Sequence, residues 1–545
     1  MSHTPQPAAL NTPPLTGIPG LIQNWKTDLI SGFLVFLIAL PLCLGIAMAS
    51  GFPPMAGIIS AIIGGVVVSR ISGSYVTING PAAGLIVVIL DSVQELGKGD
   101  AMAGYKYTLA AIVIASLIQT AMGLLKAGRL SAFFPSGVVH GMLAAIGIII
   151  MGKQIHVMLG VKPDAGSLIE TIAAIPSSII HLNPDIALIG GAGLLILVLW
   201  NITNNHYLKM IPAPIVVVIL GIILGQYFDL DHEHIVYNDI ALGPKFLVAI
   251  PDNFMAGFYF PDFSKAGETA FWVQVITICL VGSLESLLSA AAVDKLDPYK
   301  RYSDLNKDLT AVGVGNTLSG LVGGLPMIAE IVRSSANIDN NAKTGWANFF
   351  HGLFLLLFVG LVPGLIHEIP LASLAALLVF TGYRLAAPHT FIKTLAIGYE
   401  QLLIFVITII GVLATDLLIG VAIGMTTELL IHVIRSLNWN DAFRLYYRIE
   451  QTDEDTYTIH INGAAFFANY LGLKSGLARL PDGKKLIFDF SSASSVDHTV
   501  MEFIHDYSED YERRGGSCTN QGLHHHSATS DHHLAARTLK RRATD

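Results

Sequence analysis

Glu285, Glu330 and Arg333 are charged residues set in apolar surroundings. Charges at such depth are costly, and they face a cavity, a partner or bound water. Glu330 and Arg333 follow the break Gly323-Gly324-Leu325-Pro326, where a glycine pair and a proline end one apolar segment. A helix restarting there carries the two residues three apart on one face. An earlier break, Asn79-Gly80-Pro81-Ala82-Ala83-Gly84, also precedes an apolar run. A broken helix presents unpaired N–H groups and the positive end of its dipole. Two such ends facing each other make an anion site that needs few charged side chains. The residues placed to build it are Pro81, Ala82, Ala83, Met327, Ile328, Ala329 and Glu330, with Arg333 adding positive charge. Read singly, each break is a kink. As a matched pair, one per half of the chain, they point to a binding site. Glu285 has Ser289 one turn away on the same face, and a carboxylate inside a membrane segment is a functional candidate because it must be paired, hydrated or protonated. The alternative for Glu285 is pairing with a neighbour to hold two helices together. Glu330 either pairs with Arg333 or takes a cation or proton itself.

The elements that position these groups are apolar segments. The chain has 545 residues, of which 52% are hydrophobic and 13% charged, against about 25% charged in a soluble protein. Several apolar runs approach the ~20 residues needed to cross a bilayer. About fourteen segments are expected, seven per half, with the broken segment third in each half. Seven is odd, so the second half enters from the opposite side and the count implies an inverted repeat. Loops carrying Arg70, Lys126, Arg129, Lys209, Lys295, Lys300, Arg301, Lys307, Lys343, Arg384 and Lys393 fall on one side. That bias places both termini in the cytoplasm of a multi-pass inner-membrane protein. Lys98, Lys106, Lys153, Lys162, Lys245 and Lys265 fall on the other side, so the bias is incomplete. Residues 1–27 read as a cytoplasmic tail, 28–438 as the transmembrane part and 445–545 as a small cytoplasmic α/β domain. In that domain Tyr457–Ile461 and Lys485–Phe490 read as strands, and Phe467–Leu480 and Val496–Arg513 as amphipathic helices.

The net charge of −8 gives no reason to expect nucleic acid, and three scattered cysteines make neither a disulfide framework nor a zinc site. The tract around His524, His525, His526, His532 and His533 reads as a polar surface loop rather than a metal site. His140 reads as a packing residue. No G-x-x-x-x-G-K-[ST] stretch is present, so transport would draw on an ion gradient or on exchange. No catalytic constellation is visible, and an enzyme is not expected.

Together the stretch from Asp28 to Gly32 through Pro41, Gly80-Pro81, Gly282 to Leu288, Gly315-Asn316, Gly323 to Asn337 and the ending from Gly522 to Arg537 resemble the SulP anion transporters, the sulfate permeases with a C-terminal STAS domain. The resemblance implies a core domain moving against a gate domain, and a homodimer in the lipid bilayer. In sodium-coupled relatives the position matching Glu285 carries a cation-holding carboxylate, and that matching Ser289 a hydroxyl. Glu330 departs from the family, where a small residue is common. Its Gly-Pro-Thr is Gly80-Pro81-Ala82 here, and the position that carries a phosphorylated serine in bacterial regulatory STAS proteins is His498. The expected function is secondary active transport of a small inorganic anion, bicarbonate or sulfate. No cofactor is expected beyond a coupling ion, Na⁺ first and H⁺ second. The rival readings are an organic anion (dicarboxylate) carrier on the same scaffold, and a passive anion channel or sensor signalling through the STAS domain.

Overall fold

The computed structural model describes residues 13–128, 134–163, 168–203, 211–236, 240–251, 254–415, 417–436 and 445–540. Each of the fourteen expected segments corresponds to a helix or broken helix. The chain divides into two compact units, Met1–Gly128 with Gly147–Arg384, and Arg129–Ile146 with Leu385–Asp545. This division cuts across the boundary expected near residue 438, because the last membrane helices group with the sheet.

The first unit begins with α1 (Gly17–Ala49) and α2 (Pro54–Ile71), the latter with a π-helical stretch at Gly64–Val68. Strand β1 (Asn79–Pro81) leads into the short α3 (Ile86–Gly97), followed by α4 (Ala101–Leu124). Helix α5 (Ser136–Met158) spans the division between the units, and α6 (Pro184–Ile202) and α7 (Ala213–Tyr227) follow. The second half runs through α8 (Thr269–Leu296), α9 (Leu305–Leu321), strand β2 (Met327–Ala329) and the short α10 (Ile331–Asp339). It continues with α11 (Trp346–Leu361) and α12 (Leu371–Leu385). Among the described residues, eight helices are long and apolar enough to cross a membrane.

Two features of this unit were not expected. The first helix starts at Gly17 rather than Asp28, because the polar turn Trp25-Lys26-Thr27 lowers hydropathy without breaking the helix. Short helices at Leu168–Ala173 and Ile175–Ile180 also lie outside the expected segments.

Close helix packing rests on small residues, as membrane helices require. A Cβ on Gly65 would lie 2.5 Å from the Gly352 Cα and 2.7 Å from the Asn348 carbonyl oxygen. Helices α2 and α11 therefore meet backbone to backbone. The same contact lets Asn348 reach across, its Nδ2 donating to the Asn79 side-chain oxygen at 3.0 Å. Asp28, buried in α1, ties down the chain after α10: it accepts from the Lys343 N–H at 2.7 Å and from the Thr344 hydroxyl at 2.6 Å.

In the second unit, α13 (Tyr399–Ala414) and α14 (Leu417–Ser436) pack side by side. A helix at Pro388–Ile397 precedes them. The sheet that follows has six strands: β3 (Tyr446–Asp453), β4 (Thr456–Ala465), β5 (Lys485–Val496), β6 (Ser517–Gln521), β7 (His526–Ala528) and β8 (Arg537–Leu539). Their order is β3-β4-β5-β8-β7, with β6 also on β5. β4, β5 and β6 run parallel, as βαβ crossovers require. Helices α15 (Leu471–Leu477) and α16 (His498–Arg513) supply the crossovers. Ile459, Ile461, Phe488, Phe490 and Tyr511 form the core. Asp497 caps α16, accepting from the Val500 N–H at 2.7 Å. In the histidine tract, His526 is buried, with Nε2 2.8 Å from the Ala493 carbonyl oxygen, while His524 and His525 are exposed. Strands β3, β6, β7 and β8 were not foreseen, because they are short or lack clean alternation.

Gly65→Ala pushes α2 and α11 apart, and overpacking of this kind costs ~1–3 kcal/mol. Thermal unfolding in detergent reads the loss as a lower midpoint. An unchanged midpoint removes the close-packing argument.

Candidate functional site

Strands β1 and β2 pair antiparallel, with Asn79 opposite Ala329, Gly80 opposite Ile328 and Pro81 opposite Met327. Each strand leads into a short helix, the arrangement that an inverted repeat produces at its centre. The strands are short because proline removes an N–H and glycine packs no side chain. Burying them deep in a helical unit leaves many backbone groups to satisfy.

Side chains from surrounding helices satisfy most of them. Asn316 on α9 is the central one. Its Oδ1 accepts from the Met327 N–H at 2.6 Å, and its Nδ2 donates to the Met327 carbonyl at 3.0 Å and to Gln119 Oε1 at 3.1 Å. The Ala329 N–H points to the Ser286 hydroxyl at 3.4 Å, and the Glu330 N–H donates to the Ile78 carbonyl at 2.8 Å. The Ile78 N–H donates in turn to the Ser334 hydroxyl at 2.9 Å. The amides of Met327, Ala329 and Glu330 are thus engaged. The first turn of α10 begins after them, and there the N–H groups of Ile331, Val332 and Arg333 lack intrahelical acceptors. Opposite, Leu85 donates to the Ala82 carbonyl at 3.3 Å in a single 3₁₀ turn, Ala83–Leu85, that opens α3.

Arg333 lies wholly buried at this junction, 0% exposed. Its Nη2 donates to the Pro81 carbonyl at 3.1 Å, while Nε and Nη1 have no hydrogen-bond partner among the described residues. A Cβ on Gly80 would lie 2.4 Å from Nη1, so only glycine lets the guanidinium rest against β1. The charge of α10 is therefore held by the strand of the other half. Arg333 does not reach its nearest carboxylate: Glu330, the N-cap residue of α10, makes no ion pair with it within 4.0 Å among the described residues. The Glu330 carboxylate is turned instead toward the Ala83 N–H at the head of α3.

Glu285 is buried on α8, and its Oε2 has no hydrogen-bond partner among the described residues. It presses on the start of α3, since a Cβ on Gly84 would fall 1.7 Å from Oε1. Ser289, one turn further along α8, is also buried. The structure thus brings together Pro81, Ala82, Ala83, Glu285, Ile328, Ala329, Glu330 and Arg333. Met327 contributes to the strand, but its side chain packs away from the junction, on Val68, Ala311 and Val312. Lys153 and Gln154 line a small cavity beside α3 with Ile86, Val87 and Leu90. His140 belongs to the second unit.

The supporting residues Gln119, Ser286, Ser334 and Asn348 escaped the sequence reading. Their one signal is an amide or hydroxyl inside an apolar segment, which many membrane helices carry without function.

Asn316→Ala removes three hydrogen bonds and strands the Met327 amide. It lowers the unfolding free energy by roughly 2–4 kcal/mol, read by chemical denaturation in detergent. A loss under about 0.5 kcal/mol, the range of surface substitutions, excludes this bracing role.

Comparison with known proteins places this arrangement. The profile described as "Sulfate permease family" matches residues 25–408. The Bacillus subtilis protein YvdB, which carries a sulfate-transporter name, is 25% identical over 512 residues, covering 92% of each chain. The bicarbonate transporter BicA of Synechocystis is 27% identical over 412 residues, 74% of this chain and 69% of that one. The solved structure of SLC26A9 superposes with a TM-score of 0.65 at 15% identity, covering 92% of this chain and 85% of the other. That overlap supports the fold, including the C-terminal sheet region, which is consistent with a STAS domain. The chain belongs to the sulfate permease family.

Proposed function

We propose that this chain is a secondary active transporter of a small inorganic anion, bicarbonate or sulfate, coupled to Na⁺ or H⁺. The anion sits between the N-termini of α3 and α10. One observation carries this reading. A wholly buried guanidinium has two unengaged N–H directions beside the orphan amides of Ile331, Val332 and Arg333. An isolated buried cation is unstable, and an anion that completes its hydrogen bonds stabilises it. The names of YvdB and BicA supply the two substrate candidates.

Coupling is assigned to the carboxylates. Glu285 and Glu330 lie close enough to repel each other, and both approach the head of α3. Two nearby carboxylates do not both stay ionised cheaply at low dielectric. A Na⁺ held by Glu285 and Ser289, or a proton, relieves the repulsion. Anion and cation then bind cooperatively, each neutralising the field that opposes the other. The protein works as a homodimer in the inner membrane with both termini in the cytoplasm, and the C-terminal domain regulates rather than binds substrate.

Uptake of labelled bicarbonate and sulfate into proteoliposomes, with and without Na⁺ and pH gradients, tests this. Saturable, gradient-driven accumulation of one of the two is expected. Inhibition by dicarboxylates alone identifies an organic anion carrier, and non-saturating flux insensitive to both gradients identifies a channel. Glu285→Gln abolishes accumulation above equilibrium but keeps anion exchange. Arg333→Ala weakens anion affinity at least tenfold, corresponding to about 1.4 kcal/mol. If Glu285→Gln accumulates anion like the parent, with the same Na⁺ and pH dependence, the coupling role moves to Glu330 or disappears.

A further inference from the structure

Within the second unit, the C-terminal sheet docks on α14 through a small patch. Phe466 and Phe467, just after β4, pack on Met425 and Leu429. The His432 ring stacks on Phe466 with centroids 3.7 Å apart. Beside the patch lies a cavity with about 30 Å³ of room for water, lined by Glu400 and Gln401 of α13, Glu428 and His432 of α14, Asp497 and Arg537. That volume holds one water molecule.

Glu428 is the unusual member. It is 4% exposed, and neither carboxylate oxygen has a hydrogen-bond partner among the described residues. An ionised carboxylate in that position lacks both solvent and donors. Across the cavity stands Asp497, whose charge Glu428 feels directly. Asp497 holds the patch together: Oδ2 accepts from the Phe467 N–H at 2.8 Å and Oδ1 from the Val500 N–H at 2.7 Å. Both bonds come from backbone amides rather than from a cation, so nothing in them offsets Glu428.

We propose that Glu428 and Asp497 form a shared proton site that latches the C-terminal sheet onto α14, closed while the pair holds a proton and loosened when both carboxylates are ionised. The proton comes from solvent and returns to it. The other groups around the pair do not replace it. Arg537 lines the same cavity, with Nη2 3.5 Å from the His533 carbonyl oxygen, but among the described residues it makes no ion pair with either carboxylate within 4.0 Å. His498 turns its Nδ1 to the Leu534 carbonyl oxygen at 2.8 Å, with Nε2 3.9 Å from Glu502. His140 on α5 faces Glu502 and His498. Glu400 and Glu502 add negative charge, and His432 is engaged in its stack.

Burial raises the Asp497 carboxyl from 3.8 to about 7 despite its two amide bonds, and the nearby Glu502 adds to the rise. The sign follows. A carboxyl raised in the docked state holds a proton that the undocked state releases. Docking is therefore strongest below 3.8, weakens as pH rises toward about 7, and levels off above it. One proton limits the change to about tenfold per pH unit. The latch does not depend on which anion is carried.

Hydrogen–deuterium exchange of the full-length protein in detergent, from pH 5 to pH 8 and corrected for intrinsic exchange, tests the latch at amides 466–469 and 498–501. In the parent, protection falls severalfold between pH 5 and pH 7 and is flat above. Glu428→Gln keeps the shape without the charge. This variant flattens the response relative to the parent, keeping only the part that burial and Glu502 produce at Asp497. The latch is overturned by pH-independent protection in the parent, or by a parental pH response in folded Glu428→Gln.

Discussion

A single buried cation sets the terms for the first unit. Arg333 is wholly buried, and among the described residues no carboxylate lies within ion-pair distance and its side chain donates one hydrogen bond, to the Pro81 carbonyl. A charge in that position is tolerated only if the surrounding backbone is arranged to receive it. Gly80 leaves the space, β1 supplies the carbonyl, and pairing with β2 fixes the distance between the two halves. The chemistry of the site is largely a property of main-chain geometry, with side chains tuning it.

Main-chain sites need rigid support, because each strand here has only three residues. That support is a set of neutral polar side chains on neighbouring helices. Asn316 replaces a strand partner for Met327, and Ser286 and Ser334 perform the same service on either side. Asn337 holds the Val76 carbonyl while its own side-chain oxygen accepts from Ser31 of α1. Neutral donors suit this task. They satisfy the backbone without adding fields that compete with Arg333, Glu285 and Glu330 for the anion and the coupling ion.

The breaks in the helices were legible in the sequence because glycine and proline interrupt long apolar runs. Glu285 and Arg333 were legible because charge is rare there. What stayed hidden was direction and long-range pairing. Glu330 and Arg333 share a helical spacing of three, which suggests a pair, yet Glu330 caps the helix and turns toward Ala83. Met327 sits in the right segment, but its side chain faces Val68 and Val312. The role of Asn316 depends on a strand eleven residues later in the chain, which no local pattern reports. The same limit applies in the second unit, where β8 pairs with β5 across a separation that only the fold defines.

The central claim is that the heads of α3 and α10, with Arg333, form the anion site. A structure solved with bound selenate, as a strongly scattering analogue of sulfate, and again with bicarbonate, tests it most directly. The account predicts an anion within about 3 Å of Arg333 Nη1 and of the amides at the start of α10. Density for a transported anion elsewhere, with Nη1 and those amides unengaged, would contradict it.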